Sequence, residues 1–135
     1  MVSLLRIPRN IWNQVLSEIS IHIPEEACGL LAGKGEMISH FFPIENFLHS
    51  PTRYQMEPHQ QLAAFRLIDT LGLELLAIYH SHPAGPEVPS ATDIAEAYYP
   101  EAVYIIISRQ EDNYLQRGFI IQNKQVSEIS LDFVE

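Results

Sequence analysis

The sequence predicts an α/β (α+β) fold, a central mixed β-sheet flanked by helices in three layers. Three observations carry this. Amphipathic helical stripes interleave with apolar strand-like runs, hairpin patterns stand at both ends, and Leu75 to Tyr79 is apolar almost without alternation. A run of that last kind is what a strand buried on both faces requires. The length of 135 residues and a hydrophobic content of 47% fit a single domain over 1–135 with a core of its own.

The elements follow in order. Leu4, Leu5 and Ile7 suit a short edge strand ended by Pro8. Residues 9–21 set Ile11, Val15 and Ile19 at four-residue steps, with Trp12 and Leu16 beside them, which is a helix stripe with Asn10 as its N-cap. Ala27–Ala32 and residues 36–44 are two apolar runs around the Gly33-Lys34-Gly35 turn, a hairpin. Residues 45–57 read as a loop leading to a short strand near Tyr54 and Met56. Helix returns over 58–70, with Pro58 in its first turn and Gly72 as its stop. Residues 73–82 form the central strand. Three prolines and a glycine in residues 83–89 exclude regular structure. A helix over 90–99 follows, then strands over 102–108, 114–121 and 126–133, the last two joined by a turn at Asn123–Lys124.

The charge balance, 17 acidic against 8 basic residues for a net charge of −9, argues against nucleic-acid or anionic-membrane partners. No apolar run approaches the ~20 residues of a membrane-spanning helix. The lone cysteine, Cys28, excludes an internal disulfide and any multi-thiolate zinc site, and points to a reducing, cytoplasmic setting. Cys28 lies in an apolar run and reads as a buried structural thiol.

The chemistry concentrates at the end of the central strand. His80 and His82 are separated by one residue, so on a strand both imidazoles point to the same face and can converge on one metal ion. Such a pair arises by chance in roughly one chain in four with this histidine content. The residues that follow sharpen the signal. A proline-rich loop leads to Ser90 and Asp93 at a helix start, and the four positions together are expected by chance in roughly one chain in a thousand. Two imidazoles and one carboxylate leave a zinc ion with an open fourth position, the pattern of a catalytic site. Ser90 and Asp93 also form a capping-box pattern, which would fix the helix start that presents Asp93.

His80-Ser81-His82-Pro83, the loop to Pro89, and Ser90-Ala91-Thr92-Asp93 resemble the JAMM (MPN+) metalloprotease signature His-x-His-x7-Ser-x2-Asp. Pro24-Glu25-Glu26-Ala27-Cys28-Gly29 through Gly33 is similar to that family's upstream glutamate element, and Asn46, Pro51, Tyr54-Gln55-Met56 and Pro58 are similar to its intervening segment. The resemblance implies a cytidine-deaminase-like MPN fold and one zinc ion per chain, held by His80, His82 and Asp93. It implies Glu26 as general base; spacing alone leaves Glu25, Glu87 and Glu96 open as well. Ser90 is positioned to donate a hydrogen bond to an oxyanion, and Ser81, on the opposite strand face, takes a supporting role. The implied activity is a peptidase or isopeptidase acting on the C-terminal tail of a ubiquitin-like or sulfur-carrier protein. Two alternatives stand beside it: a RadC-like hydrolase, disfavoured by Ser81 between the histidines and by the acid excess, and a non-catalytic MPN scaffold, disfavoured by the intact ligand set. The residues leave oligomeric state open, a homodimer included.

Overall fold

The computed structural model of the chain describes residues 2–135. In order the elements are β1 (Leu4–Pro8), α1 (Arg9–His22), β2 (Cys28–Lys34), β3 (Met37–Ile44), α2 (Pro58–Thr70), β4 (Glu74–His82), α3 (Ala91–Ala95), β5 (Val103–Gln110), β6 (Asn113–Gln122) and β7 (Gln125–Val134). The mixed α/β composition and the central sheet match the sequence-based expectation. The expected three layers are met only in part, because the sheet is closed and not strictly sandwiched between helices. The seven strands close on themselves in the order β1-β3-β2-β4-β5-β6-β7.

The closure comes from β1. It was expected at an edge, but it is the seam. It runs parallel to β7 from Leu4 opposite Ser130 to Pro8 opposite Val134, and meets β3 where Arg6 pairs with Met37. Joining both free edges removes the exposed ladder groups an open sheet would carry.

Each face of β4 has its own apolar cluster because strand side chains alternate. Ala77 and Tyr79 join Trp12, Val15 and Ile19 of α1 on one face. Ile78 joins Ala64 and Ile68 of α2 on the other. His80 and His82 continue the Ile78 face, toward the α2 side. Neighbouring strands hold β4 on both sides: β2 antiparallel, with Cys28 opposite His80, and β5 parallel, with His82 opposite Ser108.

Local chemistry explains most element boundaries. Glu57 caps α2, its carboxylate accepting from the backbone N–H groups of His59 and Gln60, with Pro58 in the first turn. Asn10 is not the cap of α1; the helix begins at Arg9, directly after Pro8, and Asn10 lies inside its first turn. The third helix is also shorter than expected. It ends at Ala95, so Tyr98 and Tyr99 lie beyond it. A capping box starts α3 strongly, but Pro100 follows five residues after its end and cannot extend it.

Gly33 sits where the β2–β3 register shifts. A Cβ there would collide with the Met37 backbone carbonyl, which has no rotamer by which to escape. Gly33→Ala is therefore expected to force the strands apart and cost about 1–3 kcal/mol, the usual range for overpacking. A denaturant midpoint equal to wild type would contradict this.

Candidate metal centre

Four side chains from three segments meet at the end of β4. His80 and His82 come from the last turn of the strand ladder, and Asp93 from the first turn of α3. Glu26 comes from the segment just before β2. All four are nearly or fully enclosed: Glu26 and His82 are 4% exposed and His80 0%.

Three donor atoms form a small triangle. His80 Nε2 lies 3.0 Å from His82 Nε2. Asp93 Oδ2 lies 3.2 Å from the first and 3.1 Å from the second. Tetrahedral zinc with bonds of about 2.0–2.1 Å separates its ligands by about 3.3 Å, so the triangle has the size of one face of such a site. Its protonation supports the same reading. His82 Nδ1 donates to the Pro86 carbonyl at 2.7 Å, which leaves Nε2 as a lone-pair donor. Lone pairs that converge at this spacing repel one another unless a cation or a proton lies between them.

A second, looser grouping shares the histidines: one ligand atom each from Glu26, His80 and His82, all within 4.8 Å of one another. The Asp93 triangle is the tighter of the two, with spacing close to that of tetrahedral ligands. Glu26 then stands alongside, with Oε1 buried and without a hydrogen-bond partner among the described residues. A buried, unpaired carboxylate oxygen facing a candidate metal site is suited to moving a proton.

Electrostatics separate the two carboxylates. Burial, opposed by His82 and reinforced by Asp93, pushes Glu26 up to about 7. Burial also acts to raise Asp93, but the interactions with the His80 and His82 rings beside it outweigh burial and hold Asp93 well below the usual carboxylate range. One carboxylate thus stays ionised while the other titrates near neutrality in the metal-free protein. This division suits a ligand and an acid–base group.

The surroundings fix these side chains. The Asp93 N–H donates to Ser90 Oγ at 3.0 Å, and the Ser90 N–H donates to Asp93 Oδ2 at 2.8 Å. Ser90 Oγ therefore uses a lone pair for the cap and keeps its own proton to donate. Ser81, on the opposite face of β4, accepts from the Ala27 N–H at 2.8 Å and so ties the strand end to the segment carrying Glu26. Cys28 is buried, and burial pushes its thiol up to about 12, far from a nucleophile's range.

Two residues of the intervening segment make contacts that the sequence does not specify. Asn46 is buried at the start of the 45–57 loop. Its amide donates to the carbonyls of Glu26 and Arg53, both at 3.0 Å, and its oxygen accepts from the N–H groups of Leu48 and Gln55, both at 3.1 Å. Tyr54 stacks on the His80 ring, with centroids 4.4 Å apart. The sequence places both residues in this loop but carries no signal for these contacts. His22, His49 and His59 lie elsewhere, each beside a surface glutamate.

Known proteins resemble this chain. The family described as prokaryotic homologs of the JAB domain matches residues 8–118. The chain belongs to that family. The "Probable TtuB-protein conjugate cleaving protease" of Thermus thermophilus is 40% identical to this JAB-domain chain over 94 residues, 69% of the chain. The match spans 63% of that relative's own length. The "CysO-cysteine peptidase" of Mycobacterium tuberculosis is 31% identical over 137 residues, covering 99% of this chain and 94% of the relative. Among solved structures, protein DSY2949 of Desulfitobacterium hafniense superposes with a TM-score of 0.87 at 31% identity, covering 97% of this chain and 93% of that one. The two named relatives are peptidases by name, and both names specify what is cleaved: a TtuB-protein conjugate and CysO-cysteine.

Proposed function

We propose that this JAB-domain chain is a zinc-dependent peptidase that hydrolyses the bond following the C-terminal tail of a ubiquitin-like or sulfur-carrier protein. The observation that carries the reading is the triangle of His80, His82 and Asp93 donor atoms, with an unpaired, buried Glu26 beside it. The names of the relatives support the substrate class, and the absence of any helix long and apolar enough to cross a membrane, among the described residues, accords with a protein substrate met in the cytoplasm. A cytidine-deaminase-like layered description of the MPN fold accords with a sheet covered by α1 on one face and α2 on the other.

Each residue has a defined task in this reading. His80, His82 and Asp93 hold zinc, which supplies Lewis acidity and a water acidified to near neutrality. Glu26 accepts the proton of the attacking water and returns it to the departing amine. Ser90 donates its hydroxyl proton toward the carbonyl oxygen as negative charge develops there. Pro86 orients His82 through Nδ1, and Tyr54 holds the His80 ring by stacking.

A Gly-Gly tail suits the site because glycine lets the backbone pass close to enclosed ligands. The test is a panel of ubiquitin-fold proteins with Gly-Gly tails extended by one or more residues, weighed by mass spectrometry after incubation. Zinc-dependent loss of the extension is the expected result. No cleavage of any tail, alongside efficient hydrolysis of a nucleic-acid or small amide substrate, would overturn it.

A further inference from the structure

Residues 83–89 form a strap that lies against the ligand preceding it. The Pro86 carbonyl accepts the His82 Nδ1 proton at 2.7 Å. A Cβ built on Gly85 would lie 3.1 Å from His82 Cβ and 3.3 Å from its Cγ, so the Gly85 backbone rests directly on that side chain. Among the described residues, no backbone–backbone hydrogen bond joins residues 84–88 to one another or to the sheet. Pro83, Pro86 and Pro89 restrict φ within the strap but have no N–H with which to anchor it. A strap held only by His82 could not fix His82. Its position must be set from elsewhere.

Two side chains of the neighbouring strands reach it. Ser108 of β5 stands opposite His82 in the parallel pairing and is fully buried. Its hydroxyl donates to the Gly85 carbonyl at 3.3 Å and accepts from the Gln110 amide at 3.0 Å. Arg117 of β6 reaches Glu87, with Nη1 3.3 Å from Glu87 Oε1. A lone exposed ion pair contributes little when both side chains must be ordered to make it. Arg117 is already ordered. Glu128 accepts from its Nε at 3.0 Å and from its Nη2 at 2.7 Å, and the guanidinium lies over the Phe119 ring, 5.4 Å from the centroid. A fork held by a bidentate carboxylate and an aromatic face loses little freedom on taking one more partner. The strap is thereby fastened on both sides of Pro86, at Gly85 to β5 and at Glu87 to β6.

We propose that Ser108 and Arg117 are positioning residues for the metal site: by fastening Gly85 and Glu87 they hold the Pro86 carbonyl against His82 Nδ1, and so keep the His82 Nε2 lone pair aimed at the metal. This rests on the reading of His82 as a zinc ligand and extends it to two residues on strands that carry no ligand. Both act through the strap, not on substrate or water. A neutral imidazole carries one proton, on either nitrogen, and the partner of Nδ1 decides which. With the carbonyl in place the proton stays on Nδ1 and Nε2 is free to bind. With the strap loose, Nδ1 faces water, and the form protonated at Nε2 cannot ligate through that atom.

The experiment reads two quantities on the zinc-loaded chain: zinc affinity, by competition with a chelator, and exchange of the His82 Nδ1 proton with water, by NMR on protein carrying nitrogen-labelled histidine. In the double variant Ser108→Ala, Arg117→Gln, zinc affinity is expected to fall by about 10–100-fold, the usual effect of losing an outer-shell partner, and the Nδ1 proton to exchange faster. Arg117→Gln alone changes a partly exposed side chain and should move both readouts in the same direction by less. Arg117→Lys keeps a cation for Glu87 and should recover part of the loss. Arg6→Gln removes another exposed ion pair, the 3.6 Å contact with Glu36 at the β1 seam, and should move neither. Wild-type values of both readouts in the double variant, or in Arg117→Gln, overturn the inference, as does an equal loss in Arg6→Gln. In these outcomes the wild type still binds zinc and the metal reading survives. A wild-type chain that takes up no zinc defeats that reading instead, and this inference with it.

Discussion

Asp93→Ala and His80→Ala are each expected to lose zinc and, with it, all measurable hydrolysis. Each contributes one corner of a triangle whose sides are 3.0 to 3.2 Å. Removing a corner leaves two protein donors, fewer than the three that catalytic zinc sites use. The fall in affinity should exceed the roughly 10–100-fold that follows loss of a mere outer-shell partner. Asp93→Ala also removes the side chain that accepts from the Ser90 N–H, so α3 loses half of its capping box. Asp93→Asn separates the two effects, because it keeps an oxygen for the cap but removes the negative charge. Metal content after dialysis against a weak chelator is the measurement. Stoichiometric zinc in both alanine variants would place the metal elsewhere, with the looser Glu26, His80, His82 grouping as the next candidate.

The histidine pair was legible in the sequence because strand periodicity alone sets two such side chains on one face, and their Nε2 atoms do meet. The Asp93 position was legible for a different reason: a capping-box pattern is local, and the structure contains it in full. Glu26 was not legible from spacing. What singles it out is burial with an unpaired oxygen, a property of the closed sheet that no linear pattern encodes. Asn46 and Tyr54 illustrate the same limit, since each acts through contacts across the fold. Closure of the sheet was missed because β1 is only five residues long and pairs with β7 at the far end of the chain. Such pairing leaves no local trace. The third helix was overextended because Glu96, Ala97 and the tyrosines carry no strong breaker before Pro100, while in the fold Tyr99 turns to meet the Phe65 ring and Tyr104 Oη accepts from its N–H.

Glu26→Gln is expected to keep zinc and fold while losing turnover by about 10²–10⁴-fold, the usual contribution of a positioned general base. Gln has nearly the same shape but cannot take up a proton, so the loss should fall in kcat. Retained zinc would also separate the base from a ligand, because a liganding Glu26 would lose the metal along with the activity. The metal-free protein gives a second readout. Its Glu26 binds a proton more tightly folded, at about 7, than unfolded, at 4.5. The folded state therefore holds more protons between these values, and stability falls as pH rises through that window. The separation corresponds to about 3 kcal/mol at most. In Glu26→Gln this slope should vanish, so the metal-free variant should melt above wild type at pH 8 and lose that advantage near pH 4. A bound dication reverses the preference by favouring the charged carboxylate, so zinc-loaded wild type should regain stability at pH 8. Identical melting curves for the two metal-free proteins across pH 4 to 8 would show that Glu26 is not held as a buried acid, and full turnover in Glu26→Gln, with Glu25→Gln inactive, would move the base one residue upstream.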